Sequence, residues 1–296
     1  MKKIGICLIL IILIIFTGVV NAENIVINNI GKMEGHTLYD IKFTDGINTG
    51  RSELVFNIDT LIEEVKYINY SQERSFDYTI EMKSDNLFKN SGILVDSDWK
   101  NNSLIIYSET KTDLDLFNFD LQLRSKSLAD NINIKIITGY EWQNYYFVGY
   151  GTEQINYTTD PPTIDNISDY TNTITYEIDY SIPYLALSLG SKDMKDKSYG
   201  IVLGYSPLVE AKDVDRHLLR NKRSESDTDG KAYFIEADME FKVRKNRSFI
   251  IKAEHVNIET SGTQTQYFAD GSIVEGIPVD VNSSQLILSF GYKLRF

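Results

Sequence analysis

The sequence predicts an all-β protein, a ten-stranded antiparallel transmembrane β-barrel with long extracellular loops and short periplasmic turns, built on residues 23–296. Three observations predict it. After residue 22 no apolar run approaches the ~20 residues a membrane helix needs, which excludes a helical inner-membrane protein. Several segments alternate with period two and carry charges on the less apolar face, a pattern that suits a polar lumen backed by a lipid-facing wall. The gaps between these segments are alternately long and short, as in a barrel whose loops lie outside the cell and whose turns lie in the periplasm.

In chain order, Lys2 and Lys3 precede an apolar run from Ile4 to Phe16, and Val20-Asn21-Ala22 has the small-x-small form of a cleavage site. Residues 1–22 therefore read as a secretory signal peptide. The one cysteine, Cys7, lies inside it, so the exported chain has none. Removing two lysines and no acid moves the net charge from −12 to −14, which disfavours nucleic acid as a partner.

Strands are expected at 36–44, 52–71, 74–85, 103–124, 131–150, 170–190, 197–211, 230–243, 248–258 and 283–296. The last is the clearest: Leu286, Leu288, Phe290, Tyr292, Leu294 and Phe296 share one face, and Ser289, Gly291, Lys293 and Arg295 share the other. Tyr233, Ile235, Ala237, Met239, Phe241 and Val243 alternate with Phe234, Glu236, Asp238, Glu240 and Lys242. Phe117, Phe119, Leu121 and Leu123 alternate with Asn118, Asp120, Gln122 and Arg124. The long gaps run 45–51, 86–102, 151–169, 212–229 and 259–282, and the short ones 72–73, 125–130, 191–196 and 244–247. A half-apolar, half-polar wall also explains a composition of only 42% hydrophobic residues. The 19 tyrosines then become candidates for the interfacial girdles of a membrane barrel.

Little in the chain can carry chemistry. Without cysteine and with three histidines, a Cys/His metal site and a Cys nucleophile are excluded. No phosphate-cradling glycine loop and no Gly-x-Ser-x-Gly elbow occurs. His36 and His255 fall inside strands with no acidic motif beside them. His217 stands in Asp213-Val214-Asp215-Arg216-His217, where strand periodicity puts Asp213, Asp215 and His217 on one side. A carboxylate beside an imidazole orients it and lets it act as a general base. A second acidic pair, Asp96 and Asp98, lies in Val95-Asp96-Ser97-Asp98-Trp99 of the second long gap. Close carboxylates share a proton or a water. Each pair alone could be a solvated loop; a calcium loop at 96–98 is disfavoured because Lys100 takes the fifth position and the turn glycine is missing.

Taken together, Asp96-Ser97-Asp98-Trp99 and Asp213-Val214-Asp215-Arg216-His217 resemble the omptin family of ten-stranded outer-membrane proteases, as do the chain length and loop order. The resemblance implies an aspartic-type endopeptidase without cofactor, acting as a monomer on peptide or protein substrates at the cell surface. His217 would take a proton from the attacking water, Asp215 would orient His217, and Asp96 with Asp98 would hold the water and the tetrahedral species. Asp213 would bind substrate as one acid of a pocket for a basic residue. Its partner acid falls near Gly35 or His36, where only Glu34 is close. The family's lipopolysaccharide contacts are matched at Tyr140, while Asn144 and Asp179 stand where arginines are expected, so an outer-membrane lipid other than lipopolysaccharide could be the activator. The rival readings are a non-catalytic surface barrel or adhesin and a small pore.

Overall fold

The computed structural model describes residues 22–71, 73–85, 91–129, 131–191 and 196–296. The expected signal peptide, apart from Ala22, lies outside the described residues. Twelve strands form one antiparallel sheet: β1 (Ala22–Asp45), β2 (Asn48–Ser71), β3 (Phe76–Ser84), β4 (Ser91–Lys100), β5 (Ser103–Ser125), β6 (Asn133–Asn156), β7 (Thr163–Asn166), β8 (Asn172–Gly190), β9 (Lys197–His217), β10 (Lys222–Arg244), β11 (Arg247–Tyr267) and β12 (Ile273–Arg295). β1 pairs with both β2 and β12, and each further strand hands on to the next, so the sheet closes on itself.

The described residues thus form twelve strands where ten were expected, because two positions in the sheet are each filled by two segments, β3 with β4 between β2 and β5 and β7 with β8 beside β6, and the reason lies in strand length. β2 and β5 have 24 and 23 residues, whereas β3, which lies between them, has 9. Above β3 their facing edges would carry unpaired N–H and C=O groups, a costly arrangement. β4 fills that place, pairing Gly50–Phe56 of β2 and Ser103–Asp113 of β5. Residues 91–100, expected in a loop, are thus strand. β7 does the same for the end of β6, which runs past the start of β8.

Most of the other expected loops are strand as well. β1 begins fourteen residues before the expected 36, and β1 and β2 meet in a turn of only Gly46 and Ile47, with Gly46 at φ 53°. β9 continues to His217 and β10 starts at Lys222. Asn101 and Asn102, at φ 49° and 65°, make the two-residue hairpin turn between β4 and β5. The extensions of β9 and β10 carry mostly polar residues on both faces, so no hydrophobic alternation marks them in the sequence.

The wall divides by height. On β9 the outward Tyr199, Ile201, Leu203, Tyr205 and Leu208 are exposed, and above them the outward residues become Glu210 and Lys212. Leu286, Leu288 and Phe290 of β12, Tyr233 and Ile235 of β10, and Leu121 and Leu123 of β5 continue this apolar belt, on the faces the alternation predicts. His36 and His255 also face outward.

The interior is filled from the level of the belt upward. Level with the belt, Lys66 Nζ lies 2.6 Å from Glu81, Lys83 Nζ 2.5 Å from Glu254, and Lys252 Nζ 3.1 Å from Glu254, with Glu64 also bonded to Lys252. Higher up the lumen is apolar and aromatic: Phe56 stacks on Tyr176 with ring centroids 4.3 Å apart, and Tyr39, Tyr145, Phe147 and Tyr180 join the same buried cluster. Four tyrosines expected as girdle candidates are therefore among the largest fully buried side chains. Others, including Tyr140, Tyr199, Tyr205 and Tyr233, do face outward.

Candidate active site

β9 stays hydrogen-bonded on both sides to its last residue, which gives the acidic motif a rigid backbone. Asp213 sits opposite Ile178 and Ser226, Asp215 opposite Tyr176 and Ser224, and His217 opposite Ile174 and Lys222. The period-two reading therefore holds: Asp213 and Asp215 both point into the lumen and are 2% exposed. The position is a strand end above the apolar belt rather than a loop.

His217 Nε2 lies 3.0 Å from Asp215 Oδ2. Its other nitrogen, Nδ1, lies 2.6 Å from Arg220 Nη2. A guanidinium donates hydrogen bonds and accepts none, so Nδ1 is the accepting nitrogen and the ring proton sits on Nε2, directed at Asp215.

Asp96 and Asp98 lie on β4, next to β2 and β5, with a register shift at Asp98/Trp99. The tip of β4 is anchored by Arg51, whose guanidinium lies 5.0 Å from the Trp99 ring centre and donates to Asp40 through Nε at 2.8 Å. Burial, then the charge of Asp98, pushes the Asp96 pKa up to about 7; His217 and Arg220 pull it down and Asp215 adds to the rise. The two acidic motifs thus share one electrostatic environment across the mouth. Lys222 belongs to it too: burial lowers its pKa, while Asp215, Asp98 and Asp96 act the other way.

Asp213 lies deeper. Burial pushes it up to about 8, with Ser226 on the next strand pulling it down and Asp215 adding to the rise; no cation bonds it among the described residues. The acid anticipated near Gly35 is not its neighbour, since Glu34 faces outward. The residue of β1 that reaches this region is Tyr39, which is fully buried, bonds Ser226 at 3.1 Å and Gln264 at 2.8 Å, and has its pKa raised by burial and then by Asp213.

Arg220, Lys222 and Tyr39 were not singled out by the sequence reading. Arg220 had a signal, a cation three residues beyond His217, but its reach back depends on the 3-10 turn Leu218–Arg220 and on Asn221 at φ 47°.

Glu64, Glu81 and Glu254 bring carboxylate oxygens within 4.8 Å of one another, which would suit a cation. Lys66, Lys83 and Lys252 already bond them, so the triad is the acidic half of an ion network.

The model of the Omptin family matches residues 28–296. The chain belongs to that family. Among solved structures, the outer membrane protease OmpT from Escherichia coli aligns with a TM-score of 0.80 at 17% identity, covering 95% of this chain and 100% of that one. The translocator domain of the autotransporter NalP from Neisseria meningitidis aligns at 0.38 and 8% identity, over 95% of this chain and 90% of that one. OprG from Pseudomonas aeruginosa aligns at 0.34 and 9%, over 93% and 96%. No curated protein matches the chain. The omptin fold is thus shared with OmpT over its whole length, and in this omptin both acidic motifs stand at the rim above the apolar belt.

Proposed function

We propose that this omptin is an outer-membrane endopeptidase whose site faces the cell exterior and which cleaves peptides or proteins by attack of an activated water. The observation that carries the reading is the 3.0 Å contact between Asp215 and His217, set in the same field as Asp96 and Asp98. With the ring proton on Nε2 and held by Asp215, the lone pair of Nδ1 is the base that takes a proton from water, and Asp215 stabilises the imidazolium that results. Asp96, with a pKa of about 7, can both hold the water and give a hydrogen bond to the developing oxyanion at neutral pH. No covalent intermediate is needed.

Asp213 is the substrate-binding acid in this reading. A buried carboxyl with only the Ser226 hydroxyl near it is best satisfied by a cation, which favours a lysine or arginine next to the cleaved bond. The filled lumen supports an enzyme over a pore, since the aromatic cluster and the ion network occupy the space that ions would need. Residues 1–22 would direct export, and the barrel would act as a monomer with an outer-membrane lipid around it.

The test is hydrolysis of a fluorogenic peptide with a central Arg-Arg by the refolded protein, beside Asp215→Asn and His217→Ala. Both substitutions should reduce kcat by about 10²-fold or more, the scale of a lost general base. Hydrolysis that survives both would overturn the mechanism.

A further inference from the structure

Resting on the proteolytic reading, we propose that Arg220 is a latch on His217, closing the base in the free protein and giving it up when a peptide enters. Nδ1 of His217 is the only ring nitrogen with a lone pair, because Nε2 carries its proton toward Asp215. Arg220 Nη2 lies 2.6 Å from that same Nδ1. A water cannot give its proton to a lone pair already engaged by a guanidinium. The arrangement is therefore complete in its geometry and blocked at the atom that must react.

The latch is built to move. Arg220 ends a three-residue 3-10 turn with no buried residue, closed by one 3.4 Å hydrogen bond from Asn221 N to Leu218 O. Leu218 and Leu219 are 43% and 58% exposed, so little packing holds the turn down. Arg220 also has other places to go within the mouth. It acts on Asp96, whose buried Oδ1 has no hydrogen-bond partner among the described residues, and it repels Lys222. A peptide lying between the two acidic motifs brings main-chain carbonyl oxygens to the same region. These accept guanidinium hydrogen bonds and would draw Arg220 off the imidazole. Binding and activation then become one event, and the base stays closed when no peptide is present. Arg220 is a positioning residue here, since it acts through His217.

Two measurements on the refolded full chain in detergent micelles test this. The first is the 15N spectrum of histidine-labelled protein at alkaline pH. His217 should show a protonated Nε2 and a hydrogen-bonded, unprotonated Nδ1, and Arg220→Met should move the Nδ1 resonance toward that of a free lone pair. A wild-type spectrum with Nδ1 protonated, or one unchanged by Arg220→Met, overturns the latch whether or not the protein cleaves anything.

The second is kinetics on the Arg-Arg peptide. Arg220→Met should raise kcat by up to about tenfold, the population gain from releasing one charge-assisted hydrogen bond, and raise KM. Arg220→Lys, which keeps a donor, should stay near the wild-type kcat. An unchanged or lower kcat in Arg220→Met overturns the latch, a large fall pointing to direct stabilisation of the transition state. If the spectrum shows the engaged Nδ1 while neither wild type nor variant cleaves any peptide, the protease reading fails and the contact stands.

Discussion

Lys83 Nζ lies 2.5 Å from Glu254 Oε1, although the two residues are 171 apart in sequence. Both are almost fully buried, at the centre of a network that also holds Lys66, Lys252, Glu64 and Glu81. Such a network is costly to leave half-made, because a single deletion strands a charge in a poorly solvated interior.

Lys83→Met should accordingly destabilise the barrel by about 3–5 kcal/mol, and Lys83→Met with Glu254→Leu should recover part of that loss. Urea unfolding in micelles, followed by tryptophan fluorescence, gives both values. A single variant as stable as the wild type would show that the pair carries no weight in holding the lumen closed.

Asp213→Asn should cut kcat/KM for peptides with arginine before the cleaved bond by about 30-fold or more, since a buried ion pair with the substrate is lost. Peptides with a neutral residue there should change little. Equal losses for both classes would remove Asp213 from substrate recognition.

Stability should fall as pH rises through the neutral range. Asp96 and Asp213 ordinarily titrate near 3.8, and in the folded chain they are raised to about 7 and about 8. Between these limits the native state holds protons that the unfolded state has released, so their contribution is fully present below about 4 and is lost by about 8. Asp96→Asn and Asp213→Asn should each flatten the unfolding midpoint against pH over that window. An unaltered slope in both variants would show that neither acid is held protonated.

Asn144 Nδ2 donates to Asp179 Oδ1 at 3.0 Å on the outer face, where lipid phosphate would need cations. Added lipopolysaccharide should therefore change kcat/KM by less than about twofold, the scale of weak surface contacts. Activation far beyond that would mean that another part of the wall holds the lipid.

Much of the wall was legible in the sequence because a strand between lipid and lumen must alternate. Leu286, Leu288 and Phe290 face out and Ser289 faces in, as the period of two requires. On β4 this contrast is lost: Asp96, Ser97 and Asp98 follow one another, so neither face of the strand reads as apolar there. Those residues therefore read as loop, yet they are strand because β2 and β5 offer them two open edges.

The sequence by itself determined the residue types that can do chemistry, their spacing of two, and the common side on which Asp213, Asp215 and His217 stand. Backbone geometry within one strand is local, and local geometry is readable from order alone. Only the tertiary structure decided that Asp96 shares a field with His217, that Tyr39 replaces the anticipated acid near Asp213, and that Arg220 closes on Nδ1. Each of these depends on sheet closure or on a turn's direction, which brings together side chains whose separation along the chain says nothing of their distance in space.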